Sequence, residues 1–213
     1  DKLELGKLFA NKLWNASRFV LMNLEGVDDK PIDTESLSPM DRWILSRYNT
    51  AVRDANTYLE QYKFGELTSM LYEFIWNAFC DWYVEYAKKQ LKDDDAAVVM
   101  NTKRILLHVL DGLHRLMHPV MPFITEEVWQ KLPHRQGESI MVSAYPLPED
   151  ALIDETINTQ IDFVLEVVRS IRNIRQHYGV PHPSEIVVHV EASEATEKQA
   201  LELGLAIICL LYT

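Results

Sequence analysis

The chain has 213 residues, of which 47% are apolar and 25% are charged, with only 7 Gly and 9 Pro. This length suits one large domain or one domain with an appendage, and the composition excludes a disordered or low-complexity protein. The 21 Lys and Arg residues against 32 Asp and Glu residues give a formal charge of -11. That sign excludes nucleic-acid binding by bulk attraction, so any such contact must use local basic patches.

The two cysteines, Cys80 and Cys209, lie far apart among apolar neighbours. We therefore expect neither a disulfide framework nor a paired-cysteine zinc site, and a cytoplasmic localisation is the default. The longest apolar stretch, residues 203–212, is about half as long as a membrane helix needs, so we expect no membrane partner. Because the chain begins at Asp1 within a helical pattern, without Met or a signal sequence, we expect a piece of a longer protein.

The spacing of apolar residues predicts a mainly α-helical bundle of about five helices in a first domain, residues 1–146. The first helix is expected to end at Gly26, and the second to begin at Ser38 as N-cap with Pro39 at the first helical position. The third is predicted to be the central helix, because apolar residues surround all but one polar line of it. The predicted helices occupy residues 3–25, 39–59, 65–91, 99–118 and 125–132.

After Glu138 the apolar period changes from helical to alternating. Residues 138–145 and 186–191 are predicted strands, and residues 154–178 are predicted to form a helix that ends at Gly179. This order of strand, helix and strand indicates a small, partial α/β appendage over residues 147–213.

No catalytic residue is predicted, because the sequence contains neither a Gly-rich phosphate loop nor a nucleophile elbow. The best metal candidates are Asp111, His114 and His118, since two histidines four residues apart on a helix can share an ion. His118 also suits a helix end directly before Pro119, and His114 can be solvated. We favour this second interpretation, so no metal site is predicted.

The first helix carries an aromatic residue outside its apolar stripe. Phe19 lies between Lys12 and Asn15 around the helix, with Arg18 beyond them. A ring among amide and cationic side chains suits the stacking of an unpaired RNA base. Packing of Phe19 against another helix is the alternative, and geometry alone favours it because most aromatic residues of a bundle lie in its core.

Two basic stripes give weaker signals. The first ends the central helix, where the helix dipole also favours cations, and it consists of Lys88, Lys89 and Lys92. The second recurs every three residues on the long helix of the appendage, and it consists of Arg169, Arg172 and Arg175. For these arginines, contact with an RNA backbone and a solvated face with partial pairing to Asp162 or Glu166 are equally compatible with the spacing.

Several longer strings occur in order along the chain. They include Asn-Lys-Leu-Trp-Asn-Ala-Ser-Arg-Phe at residues 11–19, Asp-Arg-Trp-Ile-Leu-Ser-Arg at 41–47, Cys-Asp-Trp-Tyr at 80–83, His-Pro-Val-Met-Pro-Phe-Ile-Thr-Glu-Glu-Val-Trp at 118–129 and Arg-Asn-Ile-Arg at 172–175. Together these strings closely resemble the anticodon-binding domain of valyl-tRNA synthetases. The His-Pro-x-x-Pro-Phe part is shared with isoleucyl, leucyl and methionyl enzymes, whereas the first and third strings resemble the valine type.

The resemblance implies a valine–tRNA ligase that uses ATP and Mg²⁺ and a region that docks the anticodon stem and loop of a valine tRNA. The ATP-site signatures His-Ile-Gly-His and Lys-Met-Ser-Lys-Ser are absent from this sequence. We therefore expect a separate catalytic domain of the same chain as a partner, no cofactor in this region and no activity of this region alone. The end of the chain, residues 205–213, does not resemble what normally follows, so we expect that it is not native.

By position, the resemblance places Lys12, Asn15, Arg18 and Phe19 at the anticodon-facing surface. The polar line of the central helix is predicted to face the same site, because a carboxylate can accept a hydrogen bond from a base amino group; its members there are Asn77, Asp81 and Glu85. An ion pair between two helices, for example of Asp81 with Arg18, is the alternative. A purely structural bundle and the anticodon-binding domain of an isoleucyl-tRNA synthetase remain the alternative functions.

Overall fold

The computed structural model describes residues 2–133, 137–181 and 186–212. Within them the helices are α1 (Lys2–Asn23), α2 (Pro39–Glu60), α3 (Phe64–Glu73), α4 (Val84–Gln90), α5 (Ala96–Met117), α6 (Pro122–Trp129), α7 (Glu155–His177) and α8 (Ala195–Tyr212). None of the described residues forms a β-strand, so the predicted mainly α-helical bundle is confirmed. None of the described helices is long and apolar enough to cross a membrane.

Helix α2 begins with the predicted capping signal. The Ser38 hydroxyl accepts a hydrogen bond from the Asp41 amide, and the Asp41 carboxylate accepts one from the Ser38 amide. These two bonds satisfy backbone donors that a helix start leaves unpaired. Tyr83, which is fully buried, donates a further hydrogen bond from its hydroxyl to Asp41 Oδ1 at 2.7 Å. The cap therefore also ties the start of α2 to the middle of the bundle.

The predicted central helix is continuous, but its middle is not α-helical. Helices α3 and α4 are joined by a π-helical segment, Phe74–Tyr83, and we call Phe64–Gln90 as a whole the central helix. A π-helix has wider turns, with hydrogen bonds between residues five apart.

The two predicted strands are not formed. Residues 140–142 form a 3-10 turn, with the Ser139 hydroxyl accepting from the Met141 amide, and residues 186–190 have no regular secondary structure. Of the alternating apolar residues only Ile140 is buried, while Val142 is exposed. A strand needs a neighbour to pair its backbone, and the described residues supply none. The α/β description of residues 147–213 is therefore wrong.

Two helices occupy that region instead. The Asp154 carboxylate accepts from the Ile157 amide at the start of α7, and α7 ends before Gly179, which has a φ of +62°. Helix α8 lies against α7 at Gly204, where a Cβ would meet Val164 Cγ2 at 2.3 Å. Since only a glycine allows this approach, α8 packs closely on α7.

One apolar cluster extends from α1 to α8. It includes Leu13 and Val20 of α1, Val164 of α7, and Ala200 and Ile207 of α8. The N-terminal part of α1 departs from the predicted stripe, because Leu5 is 59% exposed. The division into a domain of residues 1–146 and an appendage of residues 147–213 stays a prediction. Described residues of both parts contribute to this one apolar cluster.

Candidate nucleic-acid interface

Two polar side chains of α1 point away from the bundle. Asn15 and Arg18 are both exposed. In residues 2–133, 137–181 and 186–212, neither side chain has a hydrogen bond or an ion pair. An amide and a guanidinium on one helix face, one turn apart, are the groups that bind the edge of a base.

Phe19 lies at the border between this surface and the core. Its ring is half-buried and packs against the apolar cluster. The ammonium of Lys88, from α4, lies 5.5 Å from the ring centroid, within the distance of a cation–π contact. The ring thus packs partly inward, as the core interpretation expects, while its partial exposure leaves the stacking interpretation a prediction.

Lys12 contacts the central helix rather than solvent alone. Its ammonium lies 2.5 Å from Asp81 Oδ1 and 3.8 Å from the centroid of the Trp76 ring. The alternative predicted for Asp81, an ion pair between two helices, is therefore present, with Lys12 as the partner instead of the Arg18 given as its example. The structure thus brings Lys12 and Asp81 together, and their role at an anticodon-facing surface stays a prediction.

The other members of the polar line separate. Glu85 pairs with Lys88 at 2.7 Å, which brings it to the neighbourhood of Phe19. Asn77 donates a hydrogen bond to Glu73 and lines a groove on the other side of the central helix. The predicted polar line is therefore divided between two sides of the central helix.

That groove, of about 470 Å³, lies between α2, the central helix and α7. Asn77 and Arg169 both line it, together with the edge of Trp82. A larger groove of about 980 Å³ is lined by none of the predicted site residues. The structure therefore groups Asn77 with the arginine stripe and groups Asp81 with α1.

The three arginines of α7 have different surroundings. The guanidinium carbons of Arg169 and Arg172 lie 5.2 and 5.0 Å from the Trp82 ring centroid, and Arg169 also pairs with Glu166 at 3.3 Å. Arg175 is only 8% exposed and donates a hydrogen bond to the Pro181 carbonyl. The spacing therefore placed Arg169 and Arg172 on an accessible face, while Arg175 is turned inward by the chain reversal after α7.

The metal candidates do not converge. His114 is fully buried, with Nδ1 2.8 Å from the Leu110 carbonyl oxygen, and burial lowers its pKa to about 4. His118 Nδ1 instead binds the Thr125 hydroxyl at 2.8 Å. Asp111 pairs with Arg115 and accepts from Trp129. Among the residues with described positions, no group of three or more His, Cys, Asp or Glu side chains is arranged to hold a metal.

Cys80, next to Asp81 in sequence, is not a nucleophile at neutral pH. Its thiol is buried, and desolvation raises its pKa to about 12. A thiolate is the reactive form of cysteine, so this residue acts as an apolar core group. The chemistry of the surface is thus hydrogen bonding, ion pairing and stacking.

Sequence reasoning missed the contact made by Trp76. The apolar pattern of the central helix predicts a packed Trp76, yet its ring is half-buried and contacts Lys12. The two residues are far apart in sequence, so no local spacing relates them. The only available signal was that Trp76 directly precedes Asn77 of the predicted polar line.

The fold is a mainly α-helical bundle, and the outer face of α1 carries exposed polar side chains. The family described as the anticodon-binding domain of tRNA ligases matches residues 41–191. Because this match covers more than half of the chain, the chain belongs to that family.

Individual relatives are valine–tRNA ligases. The enzyme of Listeria monocytogenes is 41% identical over 209 residues, and the alignment covers 98% of this chain and 24% of the relative. Those of Latilactobacillus sakei and Thermotoga maritima are 45% and 44% identical over 197 residues, covering 89% and 92% of this chain and 22% of each relative. The chain thus spans about a quarter of the length of these relatives. The expectation that residues 205–213 are not native stays a prediction.

Proposed function

We propose that this chain binds the anticodon stem and loop of a valine tRNA, as one region of a longer valine–tRNA ligase in the cytoplasm. The observation that carries the proposal is the face of α1, where Asn15 and Arg18 are exposed beside the half-buried ring of Phe19. Such a group can stack one unpaired base and bind the edge of another.

The charge distribution supports a local rather than a general RNA contact. The chain carries a formal charge of -11, so phosphates must meet individual cations. Arg18 on α1 and the pair Arg169 and Arg172 on α7 supply such cations on the exposed surface. Phosphate contacts orient the RNA, and base contacts supply the specificity.

The longer enzyme would join valine to the tRNA with ATP and Mg²⁺ in a separate catalytic domain. The residues of this chain carry neither of the ATP-site signatures, and none is proposed to hold ATP or Mg²⁺. Their part in the reaction is to bind and orient the tRNA. We therefore expect no valine-dependent pyrophosphate exchange by the 213-residue chain, which a sensitive exchange assay with a complete enzyme as positive control checks.

A titration with two RNAs tests the binding role. The chain is titrated with valine tRNA and with the same tRNA carrying an altered anticodon, at several salt concentrations. Tighter binding of the unaltered tRNA is expected, with a log-log salt slope of about -2 to -4, because only a few phosphates are neutralised. Equal affinities, or no binding at low salt, would instead favour a structural bundle.

The arginines of α7 provide an internal control. Replacing Arg169 and Arg172 together by Gln should weaken the binding of both tRNAs by a similar factor, because phosphate contacts are common to both. The preference for the unaltered anticodon should survive. If this variant no longer prefers the unaltered anticodon, base recognition would be assigned to α7 instead of α1.

A further inference from the structure

Trp76 belongs to a stack of three rings that leaves it little freedom. Its ring lies 5.5 Å from that of Tyr72, with an angle of 16° between the planes, and the Tyr72 ring lies 5.2 Å from that of Phe9. Phe9 is buried and anchors the stack to the core. The indole is therefore a fixed surface beside α1.

Lys12 lies between this indole and a carboxylate. Its ammonium is 3.8 Å from the Trp76 ring centroid and 2.5 Å from Asp81 Oδ1. The Lys12 side chain is 24% exposed and that of Asp81 is 44% exposed. An ammonium has three N–H donors and a carboxylate accepts several hydrogen bonds, so each partly exposed group keeps hydrogen-bonding capacity beyond the ion pair.

A second lysine, Lys131, also lies near a carboxylate and a tryptophan ring, but at a larger distance from the ring. Lys131 pairs with Glu127 at 2.5 Å and lies 5.3 Å from the ring centroid of Trp14. Its side chain is 51% exposed, twice the value for Lys12. Tryptophan is the strongest cation–π partner, and the attraction grows as the cation loses water. The ammonium of Lys12 is thus held in place, whereas that of Lys131 is largely solvated.

We propose that Trp76 is a positioning residue that holds the Lys12 ammonium beside Asp81, so that the two side chains together bind the edge of one unpaired anticodon base. An adjacent donor and acceptor match the adjacent acceptor and donor on the Watson–Crick edge of a base. Because Asp81 already neutralises Lys12, the pair reads a base rather than holding a phosphate. This inference rests on the proposed anticodon-binding function.

The test measures affinity, specificity and salt dependence together. The 213-residue chain and its Trp76→Leu variant are titrated with the anticodon stem-loop of a valine tRNA and with a base-altered stem-loop. For the unaltered RNA, Kd should rise about fivefold, as expected for the loss of one cation–π contact. For the altered RNA, Kd should change little, and the salt slope should remain the same.

A double-mutant cycle shows whether Trp76 acts through Lys12. In a Lys12→Met background, Trp76→Leu should have no further effect on affinity, because no ammonium remains to be positioned. The conservative Trp76→Phe keeps a ring and should recover most of the affinity. This variant also keeps the proposal testable if Trp76→Leu does not fold. Trp14→Leu is the matched control, and it should leave both affinities unchanged although it removes the ring beside Lys131.

Two results would overturn the proposal. Equal losses for both RNAs, with a salt slope smaller by about one, would show that Lys12 binds a phosphate. Additive effects of Trp76→Leu and Lys12→Met would show that Trp76 acts only through packing. If the unmodified chain does not distinguish the two RNAs, the proposed anticodon function itself fails, and this inference fails with it.

Discussion

The two sides of α1 use polar groups in opposite ways. On the inner side, Ser17 is fully buried, donates to the Leu13 carbonyl at 2.8 Å and lies 3.3 Å from His114 Nε2. On the outer side, Asn15 and Arg18 are exposed, and neither side chain has a protein partner within the described ranges. Residues only one or two positions apart thus belong to different environments.

This difference separates stability from recognition. A buried polar group that loses its partner costs folding free energy, because water cannot replace the lost bond. An exposed polar group is already hydrated, so its removal barely changes stability. We therefore expect changes on the inner side to alter unfolding, and changes on the outer side to alter RNA binding.

Acid should give the largest effect, through His114. Burial lowers its pKa from 6.5 to about 4, so between these values the unfolded chain binds a proton that the folded chain does not. The free energy of unfolding is therefore unaffected by the titration of His114 above pH 6.5. It falls by about 3 kcal/mol in total as the pH is lowered from 6.5 to 4. Denaturant unfolding at pH 7, 6, 5 and 4 measures this loss.

A non-titrating variant isolates the contribution of this one residue. His114→Asn should be less stable at pH 7, but its stability should fall less between pH 6.5 and 4. Carboxylates with lowered pKa values, such as Asp28 beside Arg104, also destabilise both proteins in acid. Their contribution is the same in both and cancels when the two unfolding free energies are subtracted. Parallel curves for the two proteins would contradict the assignment.

Tyr83 should give the next largest effect. Its hydroxyl donates to the buried Asp41 carboxylate, so Tyr83→Phe leaves an acceptor short of one partner. We expect a loss of about 1 to 3 kcal/mol in unfolding free energy, measured by urea denaturation. Tyr62→Phe is the control, because Tyr62 is exposed and should show no change; an equal loss in both variants would exclude the buried bond as the cause.

Local signals in the sequence predicted much of this inner side. The Ser38 and Asp41 cap and the apolar stripes of α1, α2, α5 and α7 need only neighbouring residues to be recognised. The alternation at residues 138–145 was equally local, but a strand depends on a distant pairing partner. The absence of such a partner among the described residues is why a 3-10 turn forms there instead.

The outer side could be predicted only in part. The angular positions of Asn15 and Arg18 on α1 followed from the 100° step, since they depend on one helix alone. The pairing of Lys12 with Asp81 joins α1 to a segment 69 residues later, and no spacing specifies it. The π-helical segment that contains Asn77 and Asp81 likewise has no signal in the apolar pattern.

Phe19 tests the border between the two sides. Its half-buried ring predicts that Phe19→Ala lowers stability by about 1 to 2 kcal/mol, less than the 3 to 5 kcal/mol for a fully buried aromatic residue. Binding of a valine stem-loop should also weaken by about 1 to 3 kcal/mol, the range for one lost base stack. Thermal unfolding and titration of the same variant give both numbers.

The exposed Phe123 is the control for this substitution. It is 90% exposed in α6, so Phe123→Ala should change neither stability nor RNA affinity. If Phe19→Ala loses more than about 3 kcal/mol of stability and binding does not change selectively, Phe19 is a core residue of the inner side of α1 and has no stacking role.

Asn15 should show the smallest effect and the most selective one. Asn15→Ala should leave the unfolding free energy within about 0.5 kcal/mol of the unmodified chain, because no described protein group loses a partner. Binding of the unaltered stem-loop should fall by about 1 kcal/mol, as for one hydrogen bond, while binding of the base-altered stem-loop should change less. The measured quantity is therefore the ratio of the two Kd values rather than either Kd alone. Asn11→Ala, one turn earlier on α1 and also exposed, is the matched control for helix propensity and general hydration. If Asn11→Ala and Asn15→Ala lower the ratio equally, the contact is not at Asn15, whereas a drop confined to Asn15→Ala assigns the reading of a base to the outer side of α1.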